Sequence, residues 1–365
     1  MPALDAVEWE TCLLEPVHNP AAERALRKAL GVVPPGFTYF LDSAWGPAAA
    51  IAFDLGHLPL RHLSSKVAEM VALVVSQDNA CRYCFNMTRG VLGILGFSDA
   101  RIRRLEEDLR TAELDAAELA ALQFARRVSR AAPPVGLSDV APLRALGCSN
   151  AAIAELAAVA AINVFYNRTA TLPALPYQAA DELFRRPTVR LFGPLVRRWM
   201  RPRRRRAPTP LAAEARVGPF APFVTALEGL PVAPRLHTVI RACLHGSTLG
   251  PRATAMVFAV VARGIGCAVS EREATQLLLA DGMPEHDIEP ALAHLAAPSL
   301  GPLERAVAAL ARDSVWPQPA SLQRHARTIR PLFTPQQFVD LIGVAALANA
   351  LCRLSIAVDL APPSA

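Results

Sequence analysis

Between Val67 and Gln77 the chain reads VAEMVALVVSQ, with apolar residues at 67, 70, 71, 74 and 75. That i, i+3, i+4, i+7, i+8 spacing draws one stripe on a helix and predicts a helix over 67–77 with this face toward a core. Asp78 and Asn79 interrupt the pattern and are expected to cap a following helix that begins near Cys81, runs to Leu95 and stops at Gly96. FSDARIRRLEEDL opens another, with Ser98 as N-cap and Arg101 where a capping box would place Glu or Gln. Residues 115–131 and 149–168 predict two more, separated by the loop PPVGLSD. Strand-like runs of β-branched and aromatic residues are nearly absent, so the predicted class is all-α.

The pattern is written twice. At an offset of 186 residues, Leu63, Met70, Val71, Val74, Val75 and Cys81 fall on Leu249, Met256, Val257, Val260, Val261 and Cys267. The same offset, without a gap, sets Gly96 on Gly282, Ile102 on Ile288, Arg126 on Arg312, Pro133 on Pro319 and Asn163 on Asn349. One constant offset kept for a hundred residues predicts an internal duplication. The expected division is an N-terminal unit over 1–184, an Arg/Pro-rich linker over 185–212 and a C-terminal repeat over 213–365. The two units are expected to pack as a pseudo-symmetric pair, each burying its apolar face on the other.

Composition supports a well-buried helical protein: 52% of the 365 residues are apolar and 19% charged. The net charge of +6 suggests a polyanion partner until it is located. Residues 1–184 carry −4 and residues 207–365 carry 0, while residues 185–206 hold ten Arg and no acid. The folded units therefore offer no basic face, and no nucleic acid is expected as a partner. Within the basic segment, Leu191, Phe192, Leu195, Val196, Trp199 and Met200 form an apolar stripe, which allows contact with an anionic membrane. A solvated linker lying on its own domain accounts for the same residues and is the preferred reading. No run reaches 18 uninterrupted apolar residues, and the nearest, at 151–166, is broken by Glu155. Seven cysteines and no basic-then-apolar leader point to a reducing, cytoplasmic setting.

Candidate chemistry centres on ACRYCFNMTRG, residues 80–90. Cys81 and Cys84, three apart in the first turn of a helix, lie close enough for a disulfide with little backbone movement. The free N–H groups and dipole of that turn favour a thiolate. Two buried core cysteines would read the same way. Structural zinc would need two further Cys or His at comparable spacing; Cys148 is isolated, and His57 and His62 lack ligand-like spacing, so no metal or other cofactor is expected.

Glu69, with eleven residues between it and Cys81, changes the weighting. Glu69, the CxxC pair, a helix ending in LG and the FSDARI start together resemble the alkylhydroperoxidase D and carboxymuconolactone decarboxylase family, over about 35–172 and, in a degenerate copy, about 221–360. The resemblance implies Glu69 in a proton relay and Cys81 and Cys84 cycling between dithiol and disulfide, reducing a peroxide or a disulfide. The peroxidase branch places a histidine one turn after the second cysteine; here that place holds Thr88, which is no base near pH 7. Tyr83, Asn86, His57, His62 and the buried Asn163 are the candidates for accessory roles. In the second unit the matching positions are Ala255, Cys267, Ser270 and Ala274, which reads as a structural copy without a cysteine pair; Cys12, Cys148, Cys243 and Cys352 read as packing or surface residues. The decarboxylase branch, acting on a small organic acid or lactone by general acid/base chemistry, is the alternative enzyme reading. A non-catalytic scaffold with a basic binding segment is the other. Family resemblance further implies a homo-oligomer, three two-unit chains giving a pseudo-hexamer, with a small-molecule substrate and a thiol reductant as partners.

Overall fold

Helix starts follow the polar caps. In the computed structural model, which describes residues 4–54, 59–177 and 210–360, the Ser64 side chain accepts from Val67 N and opens α3 (Ser65–Asp78), and Ser98 accepts from Arg101 N and opens α5 (Asp99–Glu107). Between them α4 (Arg82–Ile94) is capped by Cys81 itself, while Asn79 closes α3. The capping role expected of Asp78 and Asn79 therefore belongs to Cys81, because the chain needs a two-residue turn to reverse direction. The Asp115–Glu118 capping box opens α6 (Ala116–Ser129), and Ser149 opens α8 (Asn150–Thr171). A further helix, α7 (Leu137–Ala145), begins at the end of the expected loop, runs beyond it and buries Val140 and Leu143. α1 (Pro20–Leu30) and α2 (Trp45–Phe53) precede this set.

The remaining helices are α9 (Ala221–Ala226), α10 (Val232–His245), α11 (Pro251–Ile265), α12 (Ala268–Ala280), α13 (Glu285–His294), α14 (Pro302–Asp313), α15 (Pro319–Ile329) and α16 (Pro335–Leu360). Among the described residues there is no strand. The starts of α3, α4, α5 and α6 lie 186 residues before those of α11, α12, α13 and α14. In the first half α3 packs on α4, α6 and α8; in the second, α11 packs on α12, α14 and α16. This explains why α3 departs from the one-stripe expectation: every residue from Ala68 to Gln77 is buried, because three helices surround it.

Between the halves α8 lies along α16 and α2 along α10. Trp45 crosses this seam and donates from Nε1 to the Val339 carbonyl at 3.2 Å. Gly343 gives it room, since a Cβ there would lie 2.3 Å from the indole. Arg235 binds the carbonyls of Ile51 and Ala52 at the end of α2. The N-terminal arm also reaches across, with Glu10 N donating to Gln323 at 2.9 Å and Arg324 paired with Glu8. α16 is long and apolar enough to span a membrane, yet 94% of its most apolar stretch is buried inside the protein. Burial against α8 and α11 accounts for that composition.

Candidate active site

A sharp turn between α3 and α4 carries the cysteine pair. Ala80 takes φ 50°, a left-handed conformation that costs a non-glycine residue about 1–2 kcal/mol. Cys81 N then donates back to the Ser76 carbonyl at 3.0 Å, which fixes the Cys81 backbone. Its Sγ accepts from Cys84 N at 3.4 Å as the cap of α4. Both thiols are free. Cys81 is fully buried, whereas Cys84 retains 9% exposure and faces a cavity.

That cavity has a volume of about 220 Å³, larger than the ~150 Å³ that suffices for benzene in an engineered protein core. Glu69, Tyr83, Cys84, Thr88, Asn163 and Tyr166 supply its polar wall, and Phe37, Phe40, Met87 and Leu175 part of its apolar wall. Glu69 projects from α3 and is held neutral: burial, reinforced by the charge of Asp54 on the same cavity, pushes its carboxyl up to about 8. A carboxyl in that state is a proton donor at neutral pH.

The two thiols are unlike. Burial pushes Cys81 up, but the Cys84 side chain and backbone, nearby Thr171 and the charge of Arg168 outweigh it, so Cys81 lies below its ordinary value. Cys84 is raised well above, by burial and then by its bond to Cys81, while Asn167 works in the other direction. The two surroundings thus favour a negative charge on Cys81 over Cys84. Arg168 is buried; its Nη1 donates to Asn79 Oδ1 at 2.9 Å and its Nη2 to the Val315 carbonyl at 3.2 Å. Both acceptors are neutral, and the charge of Arg168 favours the ionised form of Cys81. Burial brings the Arg168 pKa down to about 10, still protonated at pH 7.

Glu69, Cys84, Tyr83, Thr88 and Asn163 line one cavity, and buried Cys81 caps the helix that carries Cys84. Thr88 lines the cavity and spends its hydroxyl on the Cys84 carbonyl at 2.9 Å, a bond within the helix. Asn163 donates to the Val159 carbonyl of its own helix at 2.8 Å. Asn349 reaches across, to Ser314 Oγ at 2.8 Å. His62 is exposed and does not line the cavity; its backbone N–H, with those of Arg61 and Leu63, is held by Glu155 at 2.7–2.9 Å. The acid that breaks the apolar run at 151–166 therefore anchors the loop leading into α3. Asn86 does not line the cavity either. His57 and the basic segment 185–206 lie outside the described residues.

Sequence reasoning passed over Asn167, Arg168 and Thr171. Their signal was present: Asn163, Asn167 and Thr171 are spaced i, i+4, i+8 along an otherwise apolar helix, a polar stripe that needs partners inside the core. The second half also departs from expectation. Cys267 caps α12 and its Sγ lies 3.3 Å from Ser270 Oγ. Cys352 on α16, which packs against α12, is near enough to act on the Cys267 thiol, so the half read as lacking a cysteine pair brings two cysteines near each other from distant positions. Among the described residues no group of three or more His, Cys, Asp or Glu is placed to hold a metal ion.

No protein-family model matches the chain, and no curated protein matches it. A crystal structure of an uncharacterized peroxidase-related protein from Silicibacter sp. TM1040 is similar over 93% of its own length and 47% of this chain, with 24% sequence identity and a TM-score of 0.41.

Proposed function

We propose that the chain is a thiol-dependent oxidoreductase of the alkylhydroperoxidase-like class that reduces a hydroperoxide through Cys84 and Cys81. One observation carries the reading: a cavity-facing thiol is hydrogen-bonded to a second, charge-stabilised thiol, with a neutral carboxyl on the same cavity wall.

In this mechanism Cys81 takes the place of the absent histidine. The Cys84 proton passes to the Cys81 thiolate, and the Cys84 thiolate so formed attacks the terminal oxygen of the hydroperoxide. The O–O bond breaks, Cys84 becomes a sulfenic acid, and the leaving alkoxide takes the Glu69 proton to depart as an alcohol. Cys81 then attacks the Cys84 sulfur; the S–O bond breaks and hydroxide leaves with the Cys81 proton as water. The cycle closes when an external dithiol reduces the Cys81–Cys84 disulfide and a proton returns to Glu69. Arg168 and Thr171 are positioning residues that keep the first charge on Cys81.

The same reading takes the chain as two tandem helical units packed as a pseudo-dimer. It is supported by the recurrence of helix starts at 186 residues and by each of α8 and α2 lying on its counterpart, α16 and α10, the self-complementary contact that a two-fold axis generates.

The test is to treat the reduced protein with one equivalent of tert-butyl hydroperoxide and map its thiols by mass spectrometry. A Cys81–Cys84 disulfide is expected in the wild type, and a trappable sulfenic acid on Cys84 in Cys81→Ser. The mechanism fails if both thiols stay reduced, or if Cys84→Ser consumes peroxide as fast as the wild type.

A further inference from the structure

We infer that the second half carries its own redox-active thiol pair, Cys267 with Cys352, which closes to a disulfide on reaction with hydrogen peroxide. It is a separate site from the cavity of the first half, and its argument does not depend on what that cavity does.

The backbone at Cys267 repeats that of Cys81. Cys267 caps α12 with φ −91° and ψ 89°, as Cys81 caps α4 with φ −83° and ψ 97°. Gly266, at φ 78°, occupies the left-handed turn position that Ala80 fills in the first half. What differs is the second sulfur. Position 270 is serine, and its hydroxyl lies 3.3 Å from the Cys267 Sγ; the partner thiol comes instead from Cys352 on α16, which also places Ser355 within hydrogen-bonding reach of Cys267. Cys267 thus lies among Cys352, Ser270 and Ser355, with its Sγ bonded to the Ser270 hydroxyl, and the helix N-terminus adds its dipole.

A buried cation completes the set. Arg353 follows Cys352 and is buried, and all its acceptors are neutral: the carbonyls of Ser129, Asn349 and Val315 and the Asn349 amide oxygen, at 2.8–3.0 Å. Arg353 and Arg168 share the Val315 carbonyl, so two guanidiniums meet at the seam and each faces one cysteine pair. The charge of Arg353 acts on Cys352, where it favours the ionised form against burial. The outcome is a Cys267 thiol brought down to about 6, first by its bond with Cys352, against burial, and a Cys352 thiol raised well above its ordinary value. Cys267 lies one layer below the surface, between exposed Gly266 and Ala268, within reach of an oxidant as small as hydrogen peroxide.

The chemistry balances. The Cys267 thiolate attacks one peroxide oxygen, the O–O bond breaks, and the hydroxide released takes a solvent proton to become water. Cys352 attacks the resulting sulfenic sulfur, and the departing hydroxide leaves as water with the Cys352 proton. Two thiols are oxidised and one peroxide is reduced.

Peptide mapping of the wild-type chain under non-reducing conditions, after hydrogen peroxide treatment, reads this pair separately from Cys81 and Cys84. The expected product is a cross-link between the peptides carrying Cys267 and Cys352, formed also in a Cys81→Ser/Cys84→Ser variant, with a sulfenic acid trapped on Cys267 in Cys352→Ser. Thiolate absorbance near 240 nm gives a readout that does not depend on oxidant access. A group titrating near pH 6 should vanish in Cys267→Ser. Cys267 and Cys352 staying reduced, Cys267 oxidised without the cross-link, a cross-link lost in the double variant, or no change in the absorbance titration in Cys267→Ser would each overturn the inference.

Discussion

Glu69→Gln keeps the size and hydrogen-bonding capacity of the side chain and removes its proton equilibrium. In the unfolded chain a glutamate titrates at its ordinary 4.5, and in the folded protein burial and Asp54 push it up to about 8. The folded state therefore holds a proton that the unfolded state has lost throughout that interval. Stability contributed by the neutral carboxyl is full below about pH 4.5, falls as pH rises toward 8, and is gone above it. At about 1.4 kcal/mol per pH unit, the whole interval is worth at most about 5 kcal/mol. With an unfolding entropy of roughly 2.1 cal/mol/K per residue, a chain of this length shifts its melting temperature by about 1.3 °C per kcal/mol. Glu69→Gln should then melt within about 1 °C of the wild type at pH 4.5–5 and up to about 6 °C above it at pH 8.5–9. Thermal unfolding followed by circular dichroism across that range measures the difference, in which groups common to both proteins largely cancel. A gap that stays constant from pH 5 to pH 9 would refute the neutral-carboxyl assignment, and with it Glu69 as the donor to the alkoxide.

Arg168→Met should remove the cation that faces Cys81, so that peroxide consumption at pH 7 falls by about tenfold or more and recovers toward the wild-type rate as pH rises past the ordinary thiol range; an unchanged pH profile would assign Arg168 to packing alone. Gly343→Ala drives a methyl into the Trp45 indole at the seam between the halves, where a Cβ would lie 2.3 Å from ring carbon. A loss of about 1–3 kcal/mol or more is expected in denaturant titrations, whereas Gly93→Ala, with open space around the added carbon, should not lose stability.

The expectations that held at the site rest on local physics. Ser98 caps its helix because its hydroxyl meets an N–H three residues on. Cys81 and Cys84 share a first turn because a helix places i and i+3 on one face. Glu69 reaches the same cavity because α3 and α4 are consecutive, antiparallel neighbours. Where expectation failed, the missing information was not local. α7 was hidden because its apolar pattern is short and Pro142 interrupts it.

Taken alone, the sequence determined the helical class, the spacing of the two halves and the position of a thiol pair at a helix start. These are consequences of periodicity and capping, which act over three or four residues. Only the tertiary structure decided the environment of those thiols. It brought Arg168 from α8 to Cys81, set Asp54 beside the Glu69 carboxyl, and joined Cys267 to Cys352 from opposite ends of the second half. The charge state of a buried group depends on which charges and dipoles surround it once water is excluded, and α8 and α16 supply those at a range no sequence spacing records. Thr88 alone reads as a lost base; only the fold shows that Cys84, Thr171 and Arg168 together bring Cys81 below its ordinary value.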